Sequence, residues 1–451
     1  MKLSFREKMG YGFGDLGNNF MFDLGQLYLL KFYTDVLGIN PAIGGLVFLV
    51  SKIADAFVDT SVGTYLDSRT KIGKRGKFRP FILFGTVPLF LLTICTFLSP
   101  HLAGNGKVVW AFATYIIFNA AYSVVNIPYG SLAAAMTQDS VQRTSLSSFR
   151  MAGSYLGGLV TGMSTIPIVL MFSNPSVGYP VAIGIMGVCG MICHYICYKN
   201  VKEHIVVPRK PGEKVPFAKV FKSLLTNRPL IGVLLVFIFS IGTQFLKQAV
   251  QIYYLQYNLG DIKLISQLVF IVFIFQLLAI LSAPGLTKKM GKKNVYILGL
   301  FISAGADLLN YFLPTSIINF DILWCIGTFG LSLGGAVSWA MISDCIEYNE
   351  WKTGERTEGI IYSTCSFARK VSQALAGFIP GIVLAAIGYV PNATQSAGTL
   401  AGIRQLMFLY PAMGTGITIL VLLFIYNLSD KRYNEILGEL NYKRGNKSTV
   451  A

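Results

Sequence analysis

The stretch PAIGGLVFLVSKIADAFVDTSVGTYLD, residues 41–67, decides how this chain is read. It is apolar and long enough to cross a membrane as a helix, yet KIADAFVD within it carries Lys52, Asp55 and Asp59. Their spacing of i, i+3, i+7 places all three on one helical face. A charge in the hydrocarbon core costs at least about 2.5–3.5 kcal/mol on insertion scales, so such residues line an ion or solute path or pair with one another. A structural salt bridge from Lys52 accounts for one aspartate. The second carboxylate points to a cation or proton site.

The surrounding sequence has the same character. The 451 residues are 53% hydrophobic and 13% charged, with a mean hydropathy of +0.57. That is the balance of a polytopic membrane protein. Apolar runs of spanning length are expected at about twelve places: 10–36, 41–66, 80–99, 108–136, 149–172, 178–198, 230–256, 264–287, 295–313, 320–345, 360–388 and 404–427. Residues 1–9 are polar and the first span is long and carries polar residues, so no cleavable signal is expected.

The net charge of +17 would suit nucleic acid, but its distribution does not. Lys and Arg crowd alternate loops: 69–79, the middle loop 199–229, 288–293 and the segment after 428; the loops 173–178 and 389–403 have none. The positive-inside rule then places both termini and the middle loop in the cytoplasm of a multi-pass cell-membrane protein. The seven cysteines lie in or at the ends of spans and suggest no disulfide framework. Cys189, Cys193, His194 and Cys197 share a helix, but small residues packing a membrane helix explain them better than a metal.

The middle loop divides the spans six and six, giving halves at 1–198 and 230–428, a linker at 199–229 and a tail at 429–451. Each half has a basic, glycine-containing turn after its second span, GKRGKFRP at 73–80 and KKMGKKN at 288–294. SFRMAGSYLGG (148–158) is echoed by SFARKVSQALAG (366–377). Two parallel six-helix halves make the pseudo-symmetric all-α plan of a major facilitator transporter, with the solute site at mid-membrane.

Several spans carry polar stripes. Asp15, Asn19, Asp23 and Gln26 of span one lie within about 80° of arc at 100° per residue. Span four offers Ser123 and Asn126, then Pro128, which loosens the helix locally. Arg150 and Ser154 precede the small residues Gly157, Gly158 and Gly162 in span five. Span seven has Gln244, Lys247, Gln248 and Gln251; span eleven has Ser363, Ser366, Arg369, Lys370 and Gln373. Amides, hydroxyls and a few charges suit a polyhydroxylated ligand, and Trp339, Tyr122 or Tyr129 could supply an aromatic face. The three histidines and the absence of His-Glu-x-x-His, Gly-x-Ser-x-Gly and nucleotide-loop motifs argue against an enzyme.

YGFGDLGNNF, FYTDVLG, the DAFVD pair, GKFRP, NIPYGSLAAAMTQ, YNEWKTGERTEG and GYVPN together resemble the glycoside–pentoside–hexuronide cation symporters, over about residues 5 to 440. The resemblance implies a cation site at Asp55 and Asp59 with Lys370 beside it, and a sugar site using Asn19, Asn126, Arg150 and Trp339. Asn19 and Asn126 stand where melibiose-type members have carboxylates, which argues against a galactoside held in their manner. VNIPYGSLAAAMTQ and Arg369–Lys370 look like the glucuronide carriers, whereas FMFDLGQLYLLKFYTD and IGKRGKFRP look closer to the xyloside carriers. Arg369 could pair with a substrate carboxylate, but Asp23 would repel one unless Lys247 neutralises it. A neutral pentoside-type glycoside is therefore expected, with a hexuronide as the alternative and Gln373 as a further ligand. Sodium-using relatives add an amide beside the second aspartate and a hydroxyl from span four. Here Val58 offers no oxygen while Ser123 keeps the hydroxyl, so proton coupling is expected over sodium. No cofactor, resident metal, nucleic acid or obligate protein partner is expected; the partners are the glycoside, the cation and the bilayer.

Overall fold

The computed structural model describes residues 3–68, 75–102, 104–137, 140–204, 227–354 and 358–448. Every regular element among them is a helix. Six run through the first part: α1 (Phe5–Asp35), α2 (Pro41–Ser68), α3 (Arg79–Thr96), α4 (Gly106–Met136), α5 (Ser140–Val169) and α6 (Pro175–Asn200). The second part holds α7 (Arg228–Asn258), α8 (Leu264–Met290), α9 (Lys292–Phe312), α10 (Ile317–Thr353), α11 (Glu358–Ala386), α12 (Ala397–Ile425) and a tail helix, α13 (Asp430–Ser448). Among the described residues, nine helices are long and apolar enough to cross a membrane. Four helices fall short: α1, α5 and α11, which carry polar stripes, and the polar tail helix α13.

The boundaries differ from expectation where polarity and helicity part company. Helix α5 begins at Ser140 rather than 149, and α10 runs on to Thr353, through residues read as loop. Apolar periodicity ends where charged residues begin, but Glu, Lys and Trp sustain a helix well beyond that point. Gly354, at φ +74°, stops it: its N–H donates to the Glu350 carbonyl at 2.8 Å in a left-handed conformation that favours glycine. Helix α13 has no hydrophobic stripe of spanning length and was not expected; Ile436 and Leu440 bury it against α10. Most of the middle loop (205–226), part of the first basic turn (69–74) and the Arg356–Thr357 pair lie outside the described residues.

The chain forms two compact units. The first comprises residues 1–212, 251–270 and 377–400; the second comprises 213–250, 271–376 and 401–451. In the first unit α1 packs on α5 and α6. A Cβ on Gly153 would collide with the Gly12 carbonyl, and one on Gly157 would lie 2.7 Å from the Asn19 Cβ. Small residues thus let α5 approach the polar face of α1, where lipid supplies no hydrophobic drive and close packing must hold helices together. In the second unit α9 and α10 cross equally closely at Gly299 and Gly330.

One device occurs in both units. In the first, Gly76 (φ +89°) leads into α3, and the Glu203 carboxylate after α6 accepts from the N–H groups of Lys77, Phe78 and Arg79 at 2.7, 2.8 and 3.0 Å. Arg79 returns a bond to the Tyr198 carbonyl at the end of α6, at 2.6 Å. In the second, Gly291 (φ +83°) leads into α9, Asp430 accepts from Lys292 N–H at 2.9 Å, and Lys293 Nζ donates to the Tyr426 carbonyl at 2.9 Å. A carboxylate on a helix N-terminus and a cation on a C-terminus both complement the helix dipole. The echo between GKRGKFRP and KKMGKKN has this physical cause.

At the other end of α1, FYTDVLG and GYVPN meet within the first unit. Asp35 pairs with Lys31 (2.5 Å) and accepts from the hydroxyls of Tyr389 (2.7 Å) and Tyr257 (3.2 Å). Thr34 meets the Tyr253 hydroxyl at 3.1 Å, and Lys31 Nζ lies 4.9 and 4.7 Å from the Tyr253 and Tyr257 ring centroids. Asn392, at φ +55°, donates to the Asp35 carbonyl at 2.7 Å. Asparagine tolerates that conformation better than most residues.

Candidate functional site

Lys52 and Asp55 of α2 face α4. Asp55 is 6% exposed and accepts from the Ser123 hydroxyl at 2.7 Å. One turn away, Lys52, 4% exposed, donates to Asn119 Oδ1 at 3.0 Å and lies 4.8 Å from the Phe22 ring centroid. Asn119 in turn donates to the Tyr115 carbonyl at 2.7 Å, which fixes its amide with the oxygen towards the ammonium. Asp59 is half-buried one turn beyond Asp55 on α2, and its neighbour Val58 offers no oxygen. The structure therefore joins two of the expected cation ligands, Asp55 and Ser123, and adds Asn119, which escaped notice because it lies in the apolar run TYIIFNAAY. Two carboxylates, a hydroxyl and an ammonium can exchange a proton or hold a monovalent cation. Among the described residues no group of three or more His, Cys, Asp or Glu could hold a metal ion.

The expected sugar ligands lie near this ladder, on α1, α4 and α5. Arg150 donates through Nε to Asp15 Oδ1 at 3.2 Å, with its guanidinium 5.4 Å from the Tyr129 ring centroid. The arginine is thus already oriented by a carboxylate of α1. Asn19 turns its amide N–H back to the Asp15 carbonyl at 2.7 Å. Asp23 is half-buried, close to Gly158, and receives no hydrogen bond from any described residue. Asn126 is also half-buried, and its Oδ1 accepts from Asn18 Nδ2 at 3.3 Å. It is Asn18 that links α4 to α1 here, although only its neighbour Asn19 falls on the polar stripe.

Behind Asn18 stands His194 of α6, 1% exposed, with Nε2 3.2 Å from Asn18 Oδ1 and Nδ1 2.8 Å from the Thr86 hydroxyl of α3. Both ring nitrogens are engaged, so a metal reading of the Cys189–Cys197 face has no imidazole lone pair to use. Tyr129 is not an aromatic face for a ligand. It is 1% exposed, stacks on Tyr11 and donates its hydroxyl to the Tyr11 carbonyl at 2.7 Å. Tyr122 stacks on Phe22 at 4.6 Å.

The remaining expected residues belong to the second unit. Trp339 on α10 is 47% exposed, with its ring edge-on to Phe237. On α11, Arg369 is exposed, Lys370 half-buried and Gln373 buried, while the side chain of Ser363 lies outside those described. Ser372 Oγ lies 2.9 Å from the Phe237 carbonyl, in a π-helical turn of α7 (Phe237–Ile241), where such widened turns leave backbone groups to be satisfied by side chains. Lys247, which the sequence offered as a possible partner for Asp23, has a partner within its own unit. Lys247, 3% exposed, is bound at 2.6 Å to the buried Asp307 of α9 and lies 4.5 Å from the Trp324 ring centroid. Two charges taken out of water are stable only as a pair, so Lys247 is committed there. Asp307 was overlooked because it is the one acid in an apolar span.

Known proteins resemble this chain in sequence and fold. Residues 10–430 match the family described as MFS/sugar transport protein. The chain is 46% identical over 442 residues to an uncharacterised symporter, YjmB, of Bacillus subtilis (strain 168), covering 98% of this chain and 96% of that one. It is 40% identical over 444 residues to a putative sulfoquinovose importer of Escherichia coli (strain K12), covering 98% and 95%. Among solved structures, the nucleoside transporter NupG superposes with a TM-score of 0.63 at 14% identity, over 94% of this chain and 99% of that one, a likeness of fold.

Proposed function

We propose, for a chain that belongs to the MFS sugar-transport family and its glycoside–pentoside–hexuronide symporters, that it imports a neutral glycoside of pentoside type together with a proton. Transport would run by alternating access across the cell membrane, with both termini in the cytoplasm. The observation that carries the coupling is the α2 ladder: buried Asp55 held by Ser123, with Asp59 one turn on and no amide at Val58. A proton requires one carboxylate, whereas sodium needs several oxygens converging on it. Lys370 is proposed to take part in coupling on the ground of the family resemblance alone.

The substrate reading rests on Asp23. With Lys247 committed to Asp307, Asp23 receives no hydrogen bond from a described residue, which suits a carboxylate that accepts from sugar hydroxyls and repels an anion. Asn19, Asn126 and Arg150 would supply the donors, and Trp339, Arg369 and Gln373 further contacts. The relative named as a sulfoquinovose importer favours a second reading, an acidic sugar held by Arg369. Accumulation of radiolabelled methyl β-D-xyloside into right-side-out vesicles, competed by methyl β-D-glucuronide and sulfoquinovose, separates them. Uphill xyloside uptake that the acids compete for only weakly supports the neutral reading. Acid sugars accumulated in place of xyloside establish the second, and uptake of none of the three removes both.

A further inference from the structure

The residues behind Asn126 form one buried line across four helices of the first unit: Thr86 on α3, His194 on α6, Asn18 on α1 and Asn126 on α4. Thr86, His194 and Asn18 are 5%, 1% and 1% exposed. A line of hydrogen bonds between groups that can each donate or accept has a direction, and its sealed end sets it. The Thr86 hydroxyl has one hydrogen, and among the described residues its bonding partner is the His194 ring. In a buried site that hydrogen must be used, because an unmet donor loses its full desolvation energy. It is used by donating to Nδ1. His194 then carries its proton on Nε2 and donates to Asn18 Oδ1; Asn18 donates from Nδ2 to Asn126 Oδ1. The Asn126 oxygen is thus held from behind by one donor. Its two amide hydrogens have no acceptor among the described residues and remain for a ligand.

We propose that His194 is a positioning residue for the substrate: with Thr86 and Asn18 it fixes the Asn126 amide so that its N–H donors are turned to the sugar. This rests on the reading of Asn126 as a sugar ligand. A hydroxyl that accepts from Asn126 is left to donate its own hydrogen to an acceptor such as the Asp23 carboxylate. The line would thereby select a substrate oxygen with a free lone pair at that point, and disfavour an analogue that lacks it. A glutamine side chain places an N–H near the position of imidazole Nε2, whereas asparagine ends near Nδ1 and does not reach Asn18.

Two measurements test this, and the first needs no substrate. The chain has three histidines, so protein labelled with ¹⁵N-histidine gives few ring signals, and His194→Gln identifies the one that matters. The expected signal is a neutral ring protonated on Nε2; a ring protonated on Nδ1, or on both nitrogens, overturns the proposed direction whatever the substrate proves to be. The second measures transport kinetics with whichever of methyl β-D-xyloside, methyl β-D-glucuronide and sulfoquinovose the wild-type protein accumulates. His194→Asn should raise KM about tenfold with a smaller change in maximal rate, and His194→Gln should stay within about twofold of wild type. Adding His194→Asn to Asn126→Ala should have no further effect on KM. Equal defects in the Gln and Asn variants, or a tenfold rise that persists on Asn126→Ala, would reduce His194 to a packing residue. If the wild type accumulates none of the three sugars, the functional reading fails while the tautomer result still stands or falls by itself.

Discussion

Asp55 and Ser123 show how much depends on one hydrogen bond. A carboxylate at 6% exposure in an apolar helix bundle needs donors, and the Ser123 hydroxyl at 2.7 Å is one of them. Ser123→Ala removes it and should weaken coupling, with sugar affinity reduced by about tenfold at most. Asp55→Asn removes the charge that the cation answers, so uphill accumulation should vanish while exchange of sugar down its gradient survives. Parallel counterflow and uphill uptake assays on the two variants check this; normal accumulation by Asp55→Asn would place the coupling site elsewhere. Asp23→Asn makes the complementary test of the sugar pocket. It should weaken methyl β-D-xyloside binding by about 1–3 kcal/mol and leave coupling intact, measured by calorimetry on purified protein.

Helix ends carry the next level of organisation. The carboxylates of Glu203 and Asp430 sit on the N-termini of α3 and α9, each beyond a glycine with positive φ. Glu203→Ala leaves three backbone donors without their acceptor and should destabilise the protein by about 1–3 kcal/mol in detergent unfolding experiments. Asp430→Ala, which loses one backbone partner, should do less. At the start of α1, burial pushes the Glu7 carboxyl up, but hydrogen bonds from His204 and from the Ser4 hydroxyl and N–H outweigh it and hold the group below its ordinary value. The stability this contributes is fully present above about pH 4.3 and is lost as pH falls through the lowered value. The stability difference between wild type and Glu7→Gln should therefore shrink below about pH 4.3, and a constant difference down to about pH 3 would contradict the assignment.

At the scale of the whole chain, the apolar runs made the helical membrane architecture legible in the sequence. Ser123 beside the α2 carboxylates was legible only through the family resemblance, which implies a span-four hydroxyl at the cation site. Other features were hidden for physical reasons. Asn18 and Asn19 are adjacent, and helical periodicity credits the one on the stripe although the other makes the contact to α4. His194 is the only histidine and Asp307 the only acid in their apolar spans, and their partners Thr86 and Lys247 lie far away in sequence. Helix α13 is polar, and only its docking on α10 reveals it. Lys247 likewise binds Asp307, a carboxylate that the polar stripes do not single out.

Coupling of sugar entry to proton entry through the α2 carboxylates is the central claim, and a pH electrode reads it directly. Energy-depleted cells in weakly buffered, sodium-free medium would receive methyl β-D-xyloside, or the acid sugar if that proves to be the substrate. Cells making the wild-type protein should alkalinise the medium on addition of sugar, and cells making Asp55→Asn should not. Uptake that requires sodium and moves no protons would contradict the account.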